Sequence, residues 1–129
     1  MSSPHPEPYD VARPQKALQQ LTAAIEARGF RAGPFHPETI LCVAHDRHTA
    51  GYCFQVGVFT DLVGQRDWYL RTWPPVFYRV PANVSVLNVC LAVLRVGYYG
   101  GTLLPDTIVE HYQLQEITAS SFQDSFGFH

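Results

Sequence analysis

Charge is scarce in this sequence. Asp, Glu, Lys and Arg make up 16% of its 129 residues, and nine basic against eleven acidic groups leave a formal net charge of −2. Nucleic-acid recognition needs several cations converging on phosphates. The arginines here are scattered singly and no basic run occurs, so nucleic acid is not an expected partner. Cysteine is also sparse. Cys42, Cys53 and Cys90 make an odd count, whereas small extracellular scaffolds carry even sets at close spacing. That favours reduced thiols and a cytoplasmic protein.

Long hydrophobic runs are missing too. The longest, Val84 to Val96, is too short and too interrupted to span a bilayer. The first residues lack the charged and apolar regions of a secretory signal, so no membrane partner is expected. The chain has no internal repeat and no GxSxG, HExxH, DxDxDG or P-loop pattern. Tyr98-Tyr99-Gly100-Gly101 has glycines but not the spacing or strand–loop–helix context of a phosphate loop. No cofactor is indicated.

Apolar residues reach 47%, and a chain of this length can bury a core without staples. Residues 1–13 hold three prolines, with a fourth at Pro14, and read as an extended, Pro-rich leader. One domain is expected over 14–118, followed by a tail over 119–129 that carries three phenylalanines. Pro14 suits a first helical turn, Leu18, Leu21 and Ile25 share one face, and Gly29 sits where a left-handed stop belongs. The spacing predicts a helix over 14–28.

GPFHP reads as a breaker. Residues 39–45 and 51–62 have the β-branched and aromatic content of strands. Gly64-Gln65 has Gly-first hairpin chemistry, and DWYLRTW returns as a third strand. Pro74-Pro75 interrupts, and VFYRVP resumes extended structure. A second helix over 84–96 is expected, capped by Asn83 or Ser85 and ending at Gly97, although its β-branched content also permits a strand. It is apolar nearly all round, so it must be covered on most sides or form half of a subunit interface. PDTIVEHYQ predicts a short third helix and LQEIT a last short strand. The expected fold is α+β: an antiparallel three- to four-stranded meander packed against two or three helices, in the order α-β-β-β-α-α.

ILCVAHDRHTAGYC, residues 40–53, gathers two thiols, two imidazoles and a carboxylate. Positions three apart on a strand face opposite sides, so Cys42 and His45 diverge. An even hairpin loop would set Cys42 opposite Cys53, with Leu41, Val43, Tyr52, Phe54, Val56 and Val58 on a core face. Two thiols on one sheet face fall short of a zinc site, and no metal is expected. Buried small apolar groups are the commoner fate of such cysteines; a reversible cross-strand disulfide is the alternative. His45, Asp46 and His48 read as a solvated turn. They are also the residues a small enzyme or ligand-binding protein would use, with a pocket between helix and sheet.

RDWYLRTWPPVFYRVP concentrates the residue types that dominate protein interfaces. The candidate binding residues are Trp68, Tyr69, Arg71, Trp73, Tyr78 and Arg79. A turn at Gly64-Gln65 pairs Val58 with Arg71, which sets an arginine on the apolar face and leaves a conflict. The element order is similar in outline to small bacterial chaperone-like and immunity-type proteins. The expectation is a non-catalytic binding protein that contacts another protein or associates with itself as a homo-oligomer.

Overall fold

The computed structural model describes residues 9–34, 39–43, 53–72, 76–96 and 104–117. Helix α1, Pro14–Glu26, leads into five strands: β1 Arg31–Pro34, β2 Thr39–Val43, β3 Cys53–Thr60, β4 Arg66–Arg71 and β5 Phe77–Arg79. Helices α2, Val86–Val96, and α3, Asp106–His111, follow, and strand β6, Gln115–Ile117, closes the series. The strands form one antiparallel sheet in the order β1-β2-β3-β4-β5-β6. The class is α+β as expected, but the sheet has six strands rather than three or four. The extra strands are short. β1 carries Gly33 and Pro34, and its place at the sheet edge lets a proline sit there without losing a ladder bond.

α1 begins with Pro14 in its first turn, where the missing amide costs nothing. Its regular turns end at Glu26, two residues short of the expected 28, and a tighter terminating turn follows. Gly29 takes φ 90°, its N–H donates to the Glu26 carbonyl at 3.0 Å, and the Phe30 N–H donates to the Ile25 carbonyl at 3.4 Å. Phe30 then packs against the core. Of the two candidate caps for α2, Ser85 serves: its Oγ accepts the Asn88 N–H at 3.1 Å.

Helix residues and one sheet face make the main core. Ala17, Leu18, Leu21 and Ile25 of α1 and Val86, Val89, Cys90, Val93 and Leu94 of α2 are buried with Ile40, Cys42, Phe54, Val56, Trp68, Leu70 and Tyr78 of the sheet. α2 is covered by α1, β2 and α3. Its exposed residues are Asn88 and Arg95, and the rest of it is buried or half-buried. No described helix is long and apolar enough to cross a membrane.

Two registers differ from expectation. Across β2 and β3, Cys42 lies opposite Phe54, and Cys53 opposite Val43. This one-residue slip turns Ile40 and Cys42 to the helix side with Phe54 and Val56, and the expected Cys42–Cys53 pair does not form. Cys42 and Cys90 are buried thiols, in no disulfide. Across β3 and β4, Val58 lies opposite Trp68, and Arg71 opposite Gln55.

The turn explains the second register. Asp61 and Gln65 flank it, with the Asp61 N–H bonded to the Gln65 carbonyl at 2.8 Å. Gly64 donates to the Asp61 carbonyl at 3.0 Å and has φ 89°. That is a three-residue loop of a type I turn followed by a left-handed glycine. Reading Gly64 as the first residue of a two-residue turn misplaces the pairing and inverts the faces.

Leu21 is fully buried and Leu62 is 73% exposed. Urea denaturation should therefore show Leu21→Ala losing about 3 kcal/mol of stability and Leu62→Ala losing less than about 0.5 kcal/mol.

Candidate functional site

Strand alternation sends a second set of residues to the sheet's other face. β3 contributes Gln55, Gly57 and Phe59; β4 contributes Asp67, Tyr69 and Arg71; β5 contributes Phe77 and Arg79; β6 contributes Gln115 and Ile117. Phe59 and Tyr69 form a second buried cluster with Phe77 and Ile117 against them, and no helix residue belongs to it.

Tyr69 is the centre of that cluster. It lies opposite Gly57, and a Cβ placed on Gly57 would come 2.7 Å from the ring's Cε1 and Oη. A lone glycine in an otherwise apolar strand therefore makes room for a phenol laid across it. Phe59 meets Tyr69 edge-on at 6.2 Å between centroids, and Phe77 meets it from the other side at 5.9 Å. Two guanidinium groups stack on the ends of this ring row: Arg71 at 5.7 Å from the Phe77 centroid and Arg79 at 5.2 Å from Phe59.

The polar groups are tied to one another. Arg71 Nη1 donates to Gln55 Oε1 at 3.3 Å. Arg79 donates twice to Asp67 Oδ2, from Nε at 2.8 Å and from Nη2, and once to Asp61 Oδ2 at 3.3 Å. Gln65 Nε2 also donates to Asp67 Oδ2, at 3.1 Å. The Asp67 side chain is 5% exposed and that of Arg79 26%, so the cation is what makes burial of the carboxylate tolerable. Asp61 Oδ1 accepts the Val63 and Gln65 N–H groups at 3.0 and 2.9 Å. The Gln65 N–H is the main reason the Asp61 carboxyl sits below the ordinary value of 3.8; slight burial opposes it, while Val63 and Arg79 reinforce it. Arg79 thus joins the β3–β4 turn to β5.

Burial pushes the Tyr69 phenol up to about 12, against a smaller opposing pull from Arg71. The phenol stays protonated at neutral pH, and both aspartates are paired with Arg79. This arrangement orients groups rather than activating them.

The six candidate binding residues divide between the faces. Tyr69, Arg71 and Arg79 come together on this second face. Trp68 and Tyr78 lie on the helix side, buried in the main core. Trp73 lies outside the described residues, as do His45, Asp46 and His48. Among the described residues, no group of three His, Cys, Asp or Glu side chains could hold a metal ion. Phe59, Asp61, Asp67 and Gln55 were not singled out from sequence. Gly57 was the available signal, because a glycine between Val56 and Val58 marks a close approach. No family model, curated protein or solved structure matches the chain.

Gly57→Ala should displace the Tyr69 ring and cost about 1–3 kcal/mol. In a double-mutant cycle by chemical denaturation, Tyr69→Ala should make the same alanine nearly neutral. The raised Tyr69 value also sets a pH dependence. The unfolded phenol ionises near 10 and the folded one near 12, so the contribution is intact below pH 10 and lost as pH rises towards 12. Denaturation at alkaline pH should show this loss, and Tyr69→Phe should flatten it.

Proposed function

We propose that the protein is a small non-catalytic binding protein that acts by contact with another protein or with a second copy of itself. Tyr69, Arg71 and Arg79 belong to the contacting face. One observation carries the reading: two arginines are held against a row of rings on a sheet face to which no described helix contributes. An arginine stacked on an aromatic ring and anchored by a hydrogen bond has already lost much of its rotamer freedom. Binding then costs less, and the planar guanidinium edge suits carboxylates and main-chain carbonyls of a protein partner. The paired aspartates and the protonated phenol support contact over chemistry. The odd thiol count and the unbridged Cys42 and Cys90 favour a reducing, cytoplasmic setting.

Site-specific photo-cross-linking tests the face. Gln115 is exposed and lies opposite Arg79, whereas Gln19 is exposed on α1. A photoreactive residue at 115 should yield a defined protein adduct in cells, and one at 19 should not. Arg71→Glu should reduce the adduct at 115 about tenfold, the scale of one lost interfacial charge contact, and lower thermal stability by only a few degrees. Equal labelling from both positions, or an adduct indifferent to Arg71→Glu, overturns the reading.

A further inference from the structure

The sheet face that carries Tyr69 is more apolar than a solvated face would be. The outward face of an antiparallel sheet ordinarily alternates to polar residues. Here Phe59 and Tyr69 are 3% and 2% exposed, and Phe77 and Ile117 are half-buried against them. No described helix residue belongs to this cluster. The two guanidinium groups stack on the ends of the ring row and not along its length. Rings so well buried on a face without a helix call for further chain laid over them.

A segment of suitable chemistry begins where the chain leaves the sheet. Ile117 ends the edge strand β6 and already packs against the cluster. Residues 118–129 follow it directly and lie outside the described residues. They carry Phe122, Phe126 and Phe128, and the rest are small or polar, so these rings have no core within the segment itself. The reach is sufficient. From β6 across to β3 is about 14 Å at the usual spacing of strands, and the link from Ile117 to Phe122 extends to about 17 Å. Charge matches as well. Asp124 is the segment's acidic side chain and it contains no Lys or Arg, while the face presents Arg71 beside Phe77.

We propose that residues 118–129 fold back over this face of their own chain, with the three phenylalanines against Phe77, Tyr69 and Phe59 and with Asp124 beside Arg71. Each phenyl ring brings about 150 Å² or more of surface to bury. Tethering favours the chain's own face over that of a second copy, because a short link sets an effective concentration of about millimolar. One consequence rests on the reading that the arginine face contacts a protein. The tail is then a built-in competitor, and a partner's apparent affinity falls by the fraction of chains whose face is open.

Photo-cross-linking within the full chain tests the docking. A photoreactive phenylalanine analogue in place of Phe126, irradiated at micromolar protein, should give a product with the mass of one chain. Mass spectrometry should place its link within 55–59, 69–71 or 77–79. Phe122→Ser with Phe128→Ser should lower the yield about fivefold and leave the far-UV circular dichroism unchanged, because the main core lies on the other face. Links confined to α1 or α2, no link at all, a yield indifferent to the serines, or a product mainly of two chains overturns the proposal. A second measurement reads the competition. With the photoreactive residue at 115 in cells, changing all three phenylalanines to serine should raise the adduct with a partner about fivefold. An adduct that is unchanged or reduced overturns the competition. A probe at 126 that maps to the face, with no protein captured from 115 in either form, supports the docking and overturns the contact reading instead.

Discussion

Strands β3 and β4 are joined by a loop of three residues, and that odd number decides on which side of the sheet each β4 residue lies. With Asp61 and Gln65 as the flanking pair, Trp68 and Leu70 join Val56 and Val58 on the helix side. Asp67, Tyr69 and Arg71 go to the other side with Gln55 and Phe59. A shift of one residue would carry the arginine into the apolar core and lift Trp68 out of it. The turn holds this pairing with its own chemistry. Gly64 takes the left-handed conformation that other residues resist, and the Asp61 carboxylate braces the amides that the loop leaves without ladder partners.

The division of the sheet follows from that parity. One face supplies the apolar surface that α1 and α2 need, and it makes the main core. The other builds a smaller, mixed layer around a phenol lying across a glycine. There the aromatic residues supply the burial, the arginines stack on their faces, and Asp67 is balanced by the cation it binds. The two layers depend on each other. Arg79 reaches from β5 to the β3–β4 turn, so the second face helps to hold the register that shapes the first.

Several parts of this structure were legible in the residues alone. Pro14 and Gly29 bracket α1, Asn83 or Ser85 is placed to cap α2, and the apolar surround of α2 requires cover on most sides. All of these depend on neighbours within a turn or two, and their signals are local. The α+β class followed from them and from the strand-forming runs at 39–45, 51–62 and 67–73. VFYRVP marks the extended segment that holds β5, whereas β1 escapes the reading: its four residues are too few to show a period, and they end in Gly33 and Pro34.

The faces of the sheet were a different matter. A strand's alternation shows which of its residues lie together, and nothing local shows against what they lie. A loop of even length matches Cys42 with Cys53, and a two-residue turn sends Arg71 to the core face; the observed registers differ from both by an odd number of residues. The binding candidates divided for the same reason, with Tyr69, Arg71 and Arg79 on one side and Trp68 and Tyr78 on the other. Composition, local periodicity, caps and turn-forming residues come from covalent neighbours and can be read off the chain. The meeting of Gly57 with Tyr69, of Arg79 with Asp61 and Asp67, and of Phe59 with Tyr69 and Arg79 comes from pairing between distant segments. That pairing is set by summed packing over the whole sheet, and no short stretch of sequence contains it.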